Sequence, residues 1–299
     1  MSEPVRLFFT RTSEAWDCPK KEYWRNNKWL IPTGINPNFT RGSYVHEVME
    51  HAVAHGLANP SAEDEERFAI GLSRSEKAHT LVAPEDHEMA RAMVFGLWKL
   101  VKDQHIIEVE KTYEYEGKTS DGIPYIWTLK ADSMIKEMYG IWQGEYKTTK
   151  VYSSTIQNFY HNGIQPWCYL WFLVQMGLHK NLQGVRLFVA SRPLKNKPKG
   201  MTSIPPNAVK EDIPMNRDNL FKAQEYIEDS VRHIHRLTET GVYPKNRNAC
   251  LDYYGECSYA PLCAPRVENN EEYLQGVVKN LFKKEDPEDH LKKKEEKKG

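Results

Sequence analysis

Apolar and polar positions follow two rhythms along the chain. Between residues 106 and 149 the repeat is close to two: IIEVEKTYEYEG, IPYIWTLKADSM and GIWQGEYKTT each read as a β-strand. The segment MIKEMYGIWQGEYKT reads as a hairpin with Gly140 supplying its turn. Elsewhere the repeat is helical. The spacing predicts a helix from Gly42 through SYVHEVMEHAVAHG to Gly56, and helical character from Ser61 to Gln104, broken at LVAP and resuming at Glu85. It also predicts a helix in QPWCYLWFLVQ and a long amphipathic one over Asn216–Thr240, stopped by Gly241. GVRLFVASR reads as a fourth strand and MTSIPPNAVKEDIPM as a Pro-rich extended stretch. Near the N-terminus, LFFTRTSEAWDCPKKEYWRNNKW suggests a short helix capped by Ser13 and interrupted at Cys18-Pro19.

The β-rich stretch carries the first candidate chemistry. Side chains two apart on a strand face the same way, so Glu145 and Lys147 project together while Tyr146 faces oppositely. If Asp132 leaves the neighbouring strand on that face, two carboxylates and one ammonium converge. Hard carboxylate oxygens suit Mg²⁺ or Mn²⁺, and an adjacent amine can orient a nucleophilic water, which is what phosphodiester hydrolysis requires. On the predicted 42–56 helix, His46 and Glu50 share a face, and neutral imidazole is a good Mn²⁺ ligand. Glu110 is expected as a lysine's cross-strand partner, with the metal site as the alternative. Gln165 and Tyr169 share one face of an otherwise apolar helix, so they face a polar cleft or are satisfied by backbone. His233 and His235, two apart on a helix, do not form a metal pair.

Charge narrows the picture less than position does. The 41 basic and 41 acidic residues balance, which gives no global nucleic-acid footprint but leaves room for a nuclease whose metal site is acidic. Locally, SRPLKNKPKG holds Arg192, Lys195, Lys197 and Lys199 without an acid, a candidate phosphate-contacting loop. No apolar run approaches a membrane span, and MSEPVRLFFTRTSEAW lacks the features of a signal peptide, so a cytoplasmic setting, in a bacterial cell or phage-infected host, is expected. In that setting the cysteines are read as metal ligands or core. Cys250, Cys257 and Cys263 are closely spaced, Cys18 is the best fourth partner, and Cys168 among Trp167, Leu170 and Trp171 reads as core. The spacing leaves structural zinc and a cubane iron-sulfur cluster both open, although no Cys-x-x-Cys knuckle is present.

In order, Cys18-Pro19-Lys20-Lys21, Gly42-x-x-x-His46, Asp132, Glu145-x-Lys147-Thr148, Gln165-x-x-x-Tyr169 and the three C-terminal cysteines resemble the RecB-like, iron-sulfur branch of the PD-(D/E)XK nucleases. That branch includes the AddB nuclease domain, CRISPR-associated RecB-like exonucleases and phage-type stand-alone relatives. The chain departs from it at Leu129-Lys130-Ala131, where the family often has glycine. The resemblance implies an α/β, restriction-endonuclease-like fold: a mixed central sheet flanked by helices, a helical N-terminal lobe, and a 4Fe-4S cluster joining the N- and C-terminal segments. It implies one nuclease domain over residues 1–282, with a helical part about 42–105, a sheet core about 106–190 and a C-terminal helix and cluster segment about 216–265, then a charged tail 283–299 that extends at most as a frayed helix.

By the same resemblance His46, Asp132, Glu145 and the Tyr146 carbonyl hold Mg²⁺ or Mn²⁺. Lys147 positions the attacking water, and Gln165 and Tyr169 contact the substrate or the lysine. Cys18, Cys250, Cys257 and Cys263 hold the cluster. The expected activity is a metal-dependent DNA exonuclease preferring single-stranded ends, in recombination, repair, phage replication or CRISPR-like processing, with recombination or CRISPR-type protein partners. The alternatives are a nuclease-fold module that binds DNA or a partner with little hydrolysis, and a structural zinc protein.

Overall fold

The computed structural model describes residues 3–33, 37–54, 84–149, 160–177, 181–192, 207–252, 255–268 and 270–286, with residues 73 and 158. The chain forms two compact units, Ile35–Lys111 with Lys130–Leu220, and Met1–Gly34 with Thr112–Leu129 and Phe221–Gly299. Among the described residues no helix is long and apolar enough to cross a membrane.

In chain order the first elements are β1 (Val5–Leu7), α1 (Phe9–Asp17), α2 (Pro19–Glu22, continued by a π-helical turn Tyr23–Asn27), β2 (Leu30–Pro32), α3 (Pro37–Val53) and α4 (Pro84–Val101). The strands β3 (Ile106–Lys118), β4 (Pro124–Glu137) and β5 (Gly140–Thr149) follow, then α5 (Ile164–Gln175), β6 (Leu182–Ser191), β7 (Ala208–Pro214) and α6 (Arg217–Thr240). After a 3₁₀ turn at Arg247–Cys250 come β8 (Leu251–Asp252), β9 (Gly255–Glu256), a second 3₁₀ turn Ala260–Cys263, α7 (Pro265–Glu268), α8 (Glu271–Leu281) and β10 (Phe282–Lys284).

The first unit is built on a mixed sheet. β4 and β5 are antiparallel, β5 and β6 parallel, β6 and β7 antiparallel, and β3 pairs with β4. On one face Ile135, Tyr146, Phe188, Ala190 and Ala208 pack against Tyr44, Val45, Val48 and Met49 of α3 and Met93, Val94 and Leu97 of α4. Each of the buried Val, Leu, Ile, Phe and Met side chains among these contributes roughly 1.5–3 kcal/mol, so this face fixes the register of β5. α5, apolar nearly all round, packs against β6.

Both α3 and α4 open on proline, whose fixed φ suits the first helical position. That start explains why α3 begins at Pro37, ahead of the Gly42 expected from the turn-rich sequence before it. The hairpin turn is formed by Met138 and Tyr139. Gly140 is instead demanded by close approach: a Cβ there would lie 2.3 Å from the Asn181 carbonyl oxygen.

The second unit holds β1, parallel to the start of β4, and the long helix α6. α1 starts at Phe9 with Phe8 as its N-cap, so Ser13 lies inside the helix and donates its hydroxyl to Asp17 at 3.3 Å. Cys18 ends α1, its N–H donating to the Glu14 carbonyl at 2.8 Å, and Pro19 begins α2. Part of the stretch expected as a charged tail is also ordered differently. Phe282–Lys284 forms a strand antiparallel to Leu30–Pro32, and a small core of Trp24, Leu30, Tyr259, Leu262 and Phe282 closes around it.

Candidate active site and cysteine cavity

Alternation along β5 does locally what the sequence implies. Tyr146 is buried in the helical core, while Gln143, Glu145 and Lys147 fall on the other face. Glu145 is held at both oxygens: Gln143 Nε2 donates to Oε2 at 3.0 Å, and Lys147 Nζ donates to Oε1 at 2.5 Å. Gly144 lets β4 and β5 meet here, since a Cβ on it would fall 2.1 Å from Ser133 Oγ.

Asp132 leaves β4 nearly fully buried. The Tyr146 N–H donates to Asp132 Oδ2 at 2.7 Å, and His46 Nδ1 of α3 stands 3.6 Å from Oδ1, an ion-pair distance beyond a normal hydrogen bond. Burial pushes the Asp132 carboxyl up, but His46, Lys147 and the Tyr146 N–H outweigh it and hold it below the usual range. The same Asp132 charge, working against burial, raises His46. Glu145 is pushed up by burial and by Asp132, against the pull of Lys147 and Gln143. Burial opposes the Lys147 ammonium, but Glu145, Tyr169 and Asp132 overcome it, so Lys147 stays cationic.

Glu110 joins this set from β3. Its carboxylate is ion-paired with Lys130 of β4, and it also lies with His46 and Asp132 so that one ligand atom from each is within 4.8 Å of the others. Three donors this near one another could be drawn onto one cation by side-chain rotation. The donor set, two carboxylates and an imidazole, could hold a divalent cation. The sequence suggests Glu110 as a lysine's cross-strand partner, with the metal site as the alternative; here it pairs with Lys130 and also stands among the candidate metal donors. Gln143 was missed, and period-two spacing with Glu145 was the only signal for it.

From α5, Gln165 Nε2 donates to Tyr169 Oη at 2.6 Å, and the charges of Glu145, Lys147 and Asp132 all act on Tyr169. The Gln-x-x-x-Tyr face thus looks onto the acidic site. Arg192 ends β6 half-buried, its Nε buried without a hydrogen-bond partner among the described residues. Lys195 and Lys197 lie outside the described residues. His233 and His235 are used separately, one stacked on Trp16 at 4.5 Å and the other 3.5 Å from Glu239.

In the second unit Cys18, Cys250, Cys257 and Cys263 line one cavity of about 390 Å³ together with Lys21, Lys245 and Arg247. All are free thiols. The Cys257 N–H donates to the Cys250 carbonyl at 2.9 Å, and Lys245 Nζ donates to the Cys263 carbonyl at 2.7 Å. Burial raises the Cys257 and Cys263 thiols, and neighbouring cysteine sulfurs raise them further. Four cysteine sulfurs lining one cavity beside three cationic side chains fit an anionic thiolate-held group. Cys168 is fully buried in α5, as a core residue.

Comparison with known proteins is consistent with this geometry. No curated protein matches the sequence. A crystal structure of a candidate exonuclease from Eubacterium rectale superposes with a TM-score of 0.51 at 12% identity, over 89% of this chain and 88% of that one, which is likeness of fold. The structure of SSO0001 covers 78% of both chains at 13% identity, with a TM-score of 0.38 too low to argue from. The decisive match is the family model of the PD-(D/E)XK nuclease superfamily, which runs over residues 9–264 and so spans every element that builds the acidic site and all four cavity cysteines. The chain belongs to the PD-(D/E)XK nuclease superfamily.

Proposed function

We propose that the protein is a metal-dependent DNA exonuclease acting preferentially on single-stranded ends. The observation that carries this reading is the convergence of the buried Asp132 and Glu145 with Lys147 and His46 in a chain of the nuclease superfamily. The structural likeness to a candidate exonuclease supports the exonucleolytic mode. His46, Asp132, Glu145 and the Tyr146 carbonyl would hold Mg²⁺ or Mn²⁺, and Glu110 stands close enough to join them. When bound, such a cation polarises a phosphoryl oxygen and acidifies water.

The chain's own residues set the rest. Asp132 is oriented by the Tyr146 N–H, and Glu145 by Gln143, so both carboxylates are fixed before substrate arrives. Lys147, kept cationic by its carboxylate neighbours, orients the attacking water and offsets negative charge developing on the phosphate. Tyr169, steadied by Gln165, contacts the substrate or Lys147, and Arg192 offers its guanidinium to a backbone phosphate.

The four cavity cysteines would hold a 4Fe-4S cluster. Its role is structural, because it ties together residues more than 200 positions apart. DNA processing in recombination, repair, phage replication or a CRISPR-like pathway, in the cytoplasm, is the setting this activity suits. The test is a time course on end-labelled single- and double-stranded DNA with anaerobically prepared protein. Shortening from the ends of the single strand supports the reading, and tight DNA binding without cleavage under Mg²⁺ or Mn²⁺ contradicts it.

A further inference from the structure

Glu110 has a backbone that its sequence does not favour. It lies within β3 at φ 48°, one of two non-glycine residues with positive φ among the described residues. A left-handed glutamate inside a strand is strained and persists only where surrounding packing enforces it. Here Ile106 and Val109 pack against the core of α3 and α4, and Glu110 brings a ligand oxygen within 4.8 Å of ligand atoms of His46 and Asp132. Its side chain is only 11% exposed. Pairing with lysine alone would not need this strain, since an ordinary cross-strand neighbour meets a lysine in relaxed β geometry.

Lys130 sits on that carboxylate from the position next but one to Asp132, and its own side chain is 27% exposed. Glu50 of α3 and Asp132 add further negative charge around both groups. The Lys130 ammonium therefore pairs with one of the three groups, Glu110, Asp132 and His46, that a divalent cation would gather.

We infer that Lys130 is a built-in counter-cation that occupies Glu110 until a divalent ion displaces it, so that Lys130 sets the affinity of the metal site. This rests on the metal-site reading above and adds a specific exchange: the ammonium leaves Glu110 as the metal arrives, and swings toward Glu50 or solvent. A like charge that must be moved before binding weakens cation affinity, and removing it strengthens affinity.

The experiment is a Mn²⁺ titration of the full-length protein, reading free Mn²⁺ by electron paramagnetic resonance, which needs no turnover. Lys130→Met is expected to tighten Mn²⁺ binding by about tenfold and Glu110→Gln to weaken it by about tenfold. In the Glu110→Gln background, Lys130→Met should give no gain, because the lysine acts through that carboxylate. Lys130→Gln serves in the same comparisons should the methionine variant misfold. Unchanged or weaker Mn²⁺ binding in the soluble Lys130 variant overturns the inference, and so does an equal gain with Glu110 absent. Asp132→Asn separates the two levels: if it binds Mn²⁺ as wild type does, the metal-site reading itself falls and takes the inference with it.

Discussion

Replacing Gly144 by alanine places one methyl group at the tightest point of the β4–β5 pair. The added Cβ would stand 2.1 Å from Ser133 Oγ and 3.1 Å from Ile135 Cδ1, against an ordinary carbon contact of about 3.5–4.0 Å. The paired strands cannot separate by more than an ångström without breaking their ladder, so Ser133 must yield. Ser133 is fully buried and its Oγ accepts from Tyr146 Oη at 3.4 Å, so rotating it away leaves that hydroxyl short of a partner. Overpacking of this kind costs about 1–3 kcal/mol. At about 2–4 °C per kcal/mol, thermal melting should fall by roughly 2–12 °C.

Ser133→Ala removes the obstructing atom and alone should cost about 1 kcal/mol, because it withdraws the long hydrogen bond of the buried Tyr146 hydroxyl. The double variant should then recover most of the loss, giving a coupling of at least about 1 kcal/mol in a double-mutant cycle followed by melting. Metal-dependent cleavage by Gly144→Ala should fall further than its stability, because Glu145 is the next residue and a 1 Å shift of a reacting group costs about a hundredfold. An unchanged melting temperature in Gly144→Ala, or a double variant no more stable than it, refutes the steric reasoning.

Three other perturbations probe separate parts of the chain. Arg186 donates to both oxygens of Asp212 and to Glu137, and also stacks on Trp142, so Arg186→Met should destabilise the protein by about 1–3 kcal/mol, below the usual buried-pair figure because both carboxylates are partly exposed. Arg186 holds Glu137 below its ordinary 4.5; a depressed carboxyl contributes stability above its unfolded pKa and loses it as pH falls, so wild type should weaken as pH drops below about 4.5 and the variant should show a flatter profile in acid melts. If the cavity cysteines hold the proposed 4Fe-4S cluster, anaerobically prepared protein should absorb in the visible, Cys18→Ser should abolish that absorbance, and Cys168→Ser, in the core, should keep it. Tyr169→Phe should leave melting within about 1 kcal/mol of wild type yet slow cleavage, measured on end-labelled single-stranded DNA, because its hydroxyl is bonded to Gln165 beside the acidic site.

The parts of this site legible in sequence are those set by local periodicity. Glu145 and Lys147 share a face because strands repeat every two residues, and Tyr146 is driven to the other face by the apolar core it joins. Position alone left His46 and Asp132 open; the resemblance, through Gly42-x-x-x-His46 and the Asp preceding Glu145-x-Lys147, is what marked them as site candidates. Glu110 was ambiguous because its aim depends on a left-handed backbone imposed by tertiary packing, which alternation cannot report. Lys130 appeared only as a residue standing where relatives often have glycine.

In the fold, the long elements were recoverable and the short ones were not. β1 and β10 are three residues each, too brief for a periodic signal, and they exist because a partner strand supplies their hydrogen bonds. β7 was hidden in a Pro-rich run and is a strand because β6 offers it a register from Gly184↔Pro214 to Ala190↔Ala208. α8 is longer, and its local signal in the sequence is the N-cap Asn270, whose side chain accepts the Tyr273 N–H.

The central claim is that Lys147 and the buried carboxylates hydrolyse a phosphodiester with a divalent cation. It is tested most directly by mixing 5′- or 3′-labelled single-stranded DNA with wild type, Lys147→Met and Glu145→Gln in Mn²⁺ and in chelator. The account predicts labelled products only from wild type with Mn²⁺, with both variants folded and at least about a hundredfold slower. Equal cleavage by all three, or cleavage that persists in chelator, contradicts it.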